Sequence, residues 1–202
     1  MSPKALKVGI TGGIGSGKTF ICRIFEVLGI SVYYADERAK WLQNHDPELT
    51  HKIKENFGKQ AYDDQGHLDR AFLADTVFSD EKKLALLNQL VHPRVADDYQ
   101  RWTAQRLSEP YTIKEAALLF ETGSYHQLDK VINVDAPQDV RMQRVLQRDP
   151  HRSPQQITRI MDRQLSDSER RKRADYNVDN SGNALVIPQV LRIHRELNHK
   201  VA

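Results

Sequence analysis

The sequence predicts an α/β fold in which a parallel sheet is covered by helices on both faces, and three observations predict it. Short apolar runs alternate with amphipathic helical stretches along most of the chain. A glycine-rich loop joins the first apolar run to the first helix. One long stretch, about 60–108, has helical periodicity and no strand alternation, so it reads as an insertion beside the sheet.

The first element is a strand over Ala5–Ile10, followed by Gly12-Gly13-Ile14-Gly15-Ser16-Gly17-Lys18-Thr19 and a helix opening at Phe20–Phe25. The loop fits G-x-x-x-x-G-K-[ST], the phosphate-binding P-loop. Strand, glycine loop and helix bring backbone N–H groups and a helix N-terminus onto one anion. Gly13, Ile14, Gly15, Ser16, Gly17, Lys18, Thr19 and Phe20 are therefore candidate nucleotide-binding residues. Lys18 would reach the β- and γ-phosphate oxygens, and the Thr19 hydroxyl would hold Mg²⁺.

Gly29 reads as the stop of that helix, and Ile30–Tyr34 as a short strand ending at Asp36. Asp46-Pro47 is an N-cap with proline at the first helical position, and Gly58 closes that helix. Leu84, Leu87, Val91 and Val95 form one apolar helix face, which His92-Pro93 is expected to break or kink. Tyr111–Phe120 reads as a strand with an apolar end, followed by Glu121. Lys130–Asp135 is a buried strand, Pro137 begins a helix, Tyr176–Asn180 is the last strand, and a final helix starts near Ala184. Ligands in such sheets gather at the carboxyl ends of the strands. The P-loop, Asp36, Glu121 and the loop after Asp135 are expected to converge there.

At 202 residues, 39% hydrophobic and 28% charged, the chain suits one globular domain. No apolar run approaches the ~20 residues of a membrane span. Met1-Ser2-Pro3-Lys4 leads almost directly into the first strand, leaving no room for a signal peptide. The single cysteine, Cys22, lies among Ile21, Ile24 and Phe25 and reads as a buried thiol, so a reducing, cytoplasmic setting is expected. The formal charge is only +3, yet Arg141, Arg144, Arg148, Arg152, Arg159, Arg163, Arg170, Arg171, Lys172 and Arg173 crowd one region. Such a patch suits a polyanion or is simply a solvated face. No aromatic side chains interleave with it to stack bases, so no nucleic-acid partner is expected.

Asp36 follows a strand, where a carboxylate accepts a proton from an attacking hydroxyl or holds Mg²⁺ through water; helix N-cap is the equal alternative. Arg141, Arg144 and Arg148 fall at i, i+3 and i+7, a row of guanidiniums that would offset charge on a transferred phosphoryl group. Ser153-Pro154-Gln155-Gln156 is a capping box opening a helix with Arg159 and Arg163. This arginine-rich pair of helices suits either a mobile lid, about 148–168, or an ordinary surface. The eight histidines show no metal-ligand spacing, and His194 near a helix C-terminus is accounted for by the macrodipole. There is no Asn-Lys-x-Asp for guanine, and Asp63-Asp64-Gln65-Gly66 reads as a turn. A small-molecule kinase is favoured. A nucleotide-dependent nucleic-acid-binding regulator and a kinase with a nucleoside or nucleotide acceptor remain open.

The order of motifs resembles the dephospho-CoA kinase family. The residues concerned are Thr11 to Thr19, Tyr34-Ala35-Asp36, Asn56-Phe57-Gly58, Gly66-His67-Leu68-Asp69-Arg70 and Leu90-Val91-His92-Pro93-Arg94-Val95. Leu118-Leu119-Phe120-Glu121, Arg144 with Arg148-Asp149, Arg159-Ile160-Met161 with Gln164, and Ala174-Asp175-Tyr176 with Asn180 complete the set. The resemblance implies one P-loop kinase domain over the whole chain, with a helical CoA-binding insertion and a lid. It implies transfer of the ATP γ-phosphoryl to the ribose 3′-hydroxyl of dephospho-CoA, with ATP and Mg²⁺ as cofactors. Asp36 would be the base, Arg144 and Arg148 would approach the phosphates, and Arg70, His92 and Glu121 would serve the acceptor. Asn180 would complete the nucleotide site. A monomer or weak homo-oligomer, with neither membrane nor nucleic-acid partner, is expected. Two positions depart from the family pattern. Tyr34 stands where an aspartate is common. Phe20 replaces a Ser or Thr, which should weaken nucleotide affinity by ~0.5–1.5 kcal/mol.

Overall fold

The computed structural model describes residues 5–78 and 80–199, so the reading of Met1 to Lys4 lies outside the described residues. In chain order the elements are β1 (Leu6–Thr11), α1 (Lys18–Val27), β2 (Val32–Tyr34), α2 (Ala35–His45), α3 (Pro47–Phe57), α4 (Arg70–Phe78), α5 (Glu81–Ala104) and β3 (Tyr111–Glu115). They continue with β4 (Lys130–Asp135), α6 (Gln138–Arg148), α7 (Pro154–Asp162), α8 (Asp167–Arg173), β5 (Tyr176–Asp179) and α9 (Val186–His199). The chain divides into two compact units: residues 1–34 with 106–202, and residues 35–105.

The first unit is built on a five-stranded, all-parallel sheet in the order β2-β3-β1-β4-β5. Alternation along each strand sends side chains to both faces. Ile132 and Val134 of β4 enter a core with Val8 and Ile10 of β1, Ile21, Cys22 and Phe25 of α1, and Val190, Ile193 and Leu197 of α9. Val131, next to Ile132 in sequence, points the other way, into a cluster with Leu119 and Phe120 that Leu128 and Leu165 extend. Both faces are thus covered, and parallel strands buried on both sides account for the near-continuous apolar runs.

The strand expected over residues 111–120 ends at Glu115, and Leu118 to Phe120 lie in a turn. All five residues of β3 are buried, Lys114 and Glu115 included, whereas Leu118 is exposed. The apolar Leu-Leu-Phe run belongs to the turn that caps one face of the sheet, where Leu119 and Phe120 are buried. His194, expected to answer the dipole of α9, instead meets the Tyr111 hydroxyl through Nδ1 at 2.7 Å, and burial lowers its pKa.

The second unit is helical. Helices α2 and α3 belong to it, so it begins well before residue 60. Asp46 caps α3 by accepting from the amides of Glu48 and Leu49, and Gly58 ends the helix at φ 94°. Pro93 does not break α5, which runs unbroken through it. A mid-helix proline costs about 3 kcal/mol; here burial of Val91, Val95, Tyr99 and Thr103 along one face offsets it. Side-chain bridges tie α5 to its neighbours: Arg94 to Asp46 at 2.7 Å and to Glu48 at 2.8 Å, and Arg38 to Asp98 at 2.8 Å. The Asp63 carboxylate accepts from the amides of Gln65 and His67, the expected turn.

Candidate active site

β1 delivers the chain into the P-loop at Gly12. The Ser16 amide donates to Gly13 O at 3.0 Å and closes the turn, and Lys18 Nζ folds back onto Gly12 O at 3.0 Å. Gly17 precedes α1 at φ 94° and supplies no side-chain cap. Any Cβ there would also lie 2.2 Å from Asn180 Nδ2, so the position admits only glycine. The amides of Gly15, Gly17 and Thr19 donate to no acceptor among the described residues. Unsatisfied N–H groups converging at a helix start are what an oligophosphate needs. Thr19 and Phe20 are exposed in the first turn, Phe20 at 53%.

Two arms hold this loop from outside. Asn180, just past β5, donates its Nδ2 to Ser16 O at 2.7 Å, and its own carbonyl accepts from Arg144 at 2.9 Å. Arg141 lies against Gly13, with Nε on Ala136 O at 3.0 Å and its far nitrogen on Asp167 at 2.9 Å. Arg170 pairs with the same Asp167 and donates to Leu165 O. Both guanidiniums are about as buried as core residues, their side chains 5% and 4% exposed. The arginine-rich region is therefore not one solvated patch. Nor do Arg141, Arg144 and Arg148 form a row of like charges. Arg141 is sealed in, Arg144 is spent partly on Asn180, and Arg148 is 63% exposed against its neighbour Asp149.

The segment expected to act as a lid carries the expected capping box: the Gln156 amide donates to Ser153 Oγ, and the Ser153 amide to Gln156 Oε1. Its helix α7 buries Ile157 and Met161 against Val145, with Ile14 of the P-loop packed beside them. Beyond α7, the Ile14 amide donates to Gln164 Oε1 at 2.8 Å, and the Leu165 amide to Glu121 Oε1 at 2.7 Å. Glu121 thus braces the segment between α7 and α8. Gln164 belongs to the P-loop's own hydrogen bonding, a role no local pattern announces because 150 residues separate the partners.

Glu115 is the other residue the sequence reading missed. It ends β3 and pairs in register with Ile10 on one side and Tyr34 on the other. Cys22, one turn behind the P-loop, feels it: burial first, then the Glu115 and Glu26 carboxylates, drives that thiol above its ordinary range, against the opposing pull of Lys18. Tyr34 is likewise pushed up by burial and by Cys22, and its hydroxyl bonds with Glu26. A strand ending in Lys-Glu beside the P-loop strand was the available signal, hidden by reading the strand through to Phe120.

In the helical unit, Asp36 is the second residue of α2 and exposed in its first turn, so it is not the N-cap. β2 runs into α2 with no loop between them. Arg70 opens α4 and His92 lies on α5, both exposed. No group of three or more His, Cys, Asp or Glu that could hold a metal ion occurs among the described residues. The Thr19 hydroxyl, an oxygen donor in the first turn of α1, fits Mg²⁺, which takes one or two protein ligands and completes its shell with phosphates and water. No helix is long and apolar enough to cross a membrane, among the residues described.

Comparison with known proteins adds the family. The dephospho-CoA kinase family model matches residues 6–185. A dephospho-CoA kinase of Porphyromonas gingivalis is 38% identical over 188 residues, 93% of this chain and 92% of the relative. One from Salinibacter ruber is 40% identical over 177 residues, 87% of this chain and 88% of the relative. Among solved structures, a Thermus thermophilus protein superposes with a TM-score of 0.82 at 31% identity, covering 96% of this chain and 97% of that one. A shikimate kinase from Acinetobacter baumannii, at 15% identity and a TM-score of 0.53 over 98% of this chain and 96% of its own, shares the P-loop kinase fold. Matches that run nearly end to end, in two independent comparisons of sequence, decide the matter: the chain belongs to the dephospho-CoA kinase family.

Proposed function

We propose that the protein transfers the γ-phosphoryl group of ATP to the ribose 3′-hydroxyl of dephospho-CoA, giving coenzyme A and ADP. The observation that carries this reading is a P-loop with unspent amides and an uncapped α1, in a chain of that family. The unspent amides of Gly15, Gly17 and Thr19 hold the triphosphate, with Lys18 as the point charge; the Ile14 and Ser16 amides are engaged by Gln164 and Gly13. Asn180 and Arg144 keep the loop's far side in place through Ser16 O. Thr19 would hold Mg²⁺, which would supply charge neutralisation when bound.

Asp36 takes the proton of the 3′-hydroxyl as that oxygen attacks the γ-phosphorus, and ADP leaves. Its exposed place in the first turn of α2 leaves the carboxylate open to an incoming hydroxyl. Arg70 and His92 serve the acceptor. Glu121 acts through Leu165 by holding the lid segment, and Arg148 approaches the phosphates by releasing Asp149. Excluding water is the purpose of a lid here, because water competes with the hydroxyl for the same phosphorus.

The test is ADP release with ATP and Mg²⁺, with and without dephospho-CoA, and the mass of the product. Acceptor-dependent release with a gain of one phosphate is expected. ATP turnover indifferent to dephospho-CoA overturns the assignment.

A further inference from the structure

We propose that Gln164 is a direct contact of the lid with the terminal phosphate of the nucleoside triphosphate, the residue by which the protein distinguishes ATP from ADP. The inference rests on the P-loop being the ATP site. A backbone N–H can only donate, so the 2.8 Å bond from the Ile14 amide fixes the Gln164 oxygen toward the loop. The opposite end of the same amide, Nε2, is thereby turned outward as a donor. It meets no acceptor among the described residues, and the side chain is half-buried.

The surroundings hold that side chain more firmly than a surface glutamine requires. The Gln164 amide donates to Met161 O at 3.1 Å, anchoring it to the end of α7. The next residue is gripped at both ends: Leu165 N–H by Glu121, and Leu165 O by Arg170. Two residues further, Asp167 is shared by the buried Arg141 and Arg170. Arg141 lies against Gly13, so the same network fixes both sides of the pairing, the loop and the lid segment.

Charge explains the choice of an amide. Lys18 already supplies a cation at the loop, and Arg141 and Arg170 stand immediately behind Gly13. A neutral donor adds a directed bond to an anionic oxygen without further like-charge repulsion among these cations. Ile14 sits at the tip of the loop, between Gly13 and Gly15, and α7 packs on it from the lid side. The phosphate closest to the lid is the last of the chain, which ADP lacks. Gln164 is thus engaged by the substrate nucleotide and disengaged by the product.

The experiment is calorimetric titration of the full-length protein with Mg²⁺ and either ADP or a non-hydrolysable β,γ-imido analogue of ATP. Gln164→Glu keeps an acceptor for the Ile14 amide and replaces the donor with a carboxylate. Gln164→Met removes donor and acceptor without adding charge, and carries the test if the first variant does not fold. The expected result is a loss of about ten-fold or more in analogue affinity, a donor to a charged group being removed. ADP affinity should stay within about two-fold, and the KM for dephospho-CoA should stay unchanged. An unaltered analogue-to-ADP ratio in the folded variants overturns the proposal, because a purely structural glutamine would weaken both nucleotides together. If the unmodified protein binds neither nucleotide, the P-loop reading itself fails, which is a different outcome.

Discussion

Replacing Gly13 by alanine adds a single methyl group against one of the most firmly held side chains in the protein. Gly13 is not among the glycines with positive φ, so alanine meets no backbone objection. The added Cβ would lie 2.2 Å from one Arg141 nitrogen, 2.9 Å from its Cζ and 3.0 Å from an Arg170 nitrogen. Non-bonded contacts settle at about 3.5–4.0 Å, so the guanidinium must retreat by more than about 1 Å. It is poorly placed to do so, with Nε on Ala136 O at 3.0 Å and the opposite nitrogen on Asp167 at 2.9 Å. Either Arg141 surrenders a charge-assisted bond, at about 1.5–3 kcal/mol, or the loop shifts, at about 1–3 kcal/mol. Gly13→Ala should therefore cost about 2–3 kcal/mol and lower Tm by roughly 4–12 °C for a domain of this size. Urea and thermal unfolding of Gly13→Ala, Arg141→Ala and the double variant form the assay. Relief of the clash should leave the double variant no less stable than Arg141→Ala alone. Strict additivity, or a Gly13→Ala protein as stable as the parent, would refute the packing argument.

Other outcomes follow from the same contacts. Lys18→Ala should lower turnover by at least ~10²-fold, read as kcat in the coupled ADP assay. Asp36→Asn should retain nucleotide binding in a titration while kcat falls by ~10²–10⁴-fold. Asp46 is pushed up by burial, yet the Arg94 guanidinium and the amides of Leu49 and Glu48 outweigh that and hold it below its ordinary 3.8. A carboxylate lowered in the folded state contributes fully above its unfolded pKa and loses that contribution as pH falls through the folded value. Urea midpoints should hence drop below about pH 4, and Asp46→Ala, which also removes the α3 cap, should flatten that drop and cost roughly 2–4 kcal/mol at neutral pH.

What could be read in the sequence was whatever local chemistry dictates. The P-loop, the Asp46 cap with Pro47, the Gly58 stop and the Ser153 capping box are each set by residues within a turn or two of one another. What escaped depends on distant partners. Arg141 and Arg170 look like members of a solvated charge run until Asp167 and Gly13 are placed beside them. Gln164 looks like a polar surface residue until Ile14, 150 positions away, is bonded to it. Pro93 and the Leu118–Phe120 turn failed for another reason: tertiary burial overrode the local preference of proline to end a helix and of an apolar run to extend a strand. Of the two departures from the family pattern, Tyr34 turns to Glu26 and Phe20 stays exposed.

Cys22 has a consequence outside the chemistry of phosphates. It is the chain's sole cysteine, has no exposed surface, and its thiol resists ionisation where it sits. A thiol-reactive dye therefore finds nothing to modify in the intact protein and must wait for α1 to lift from the sheet. Because the P-loop leads directly into α1, any nucleotide that tightens the loop prolongs that wait by mass action. Labelling kinetics then become a clock for opening of the nucleotide-bearing core, with no residue introduced to build it.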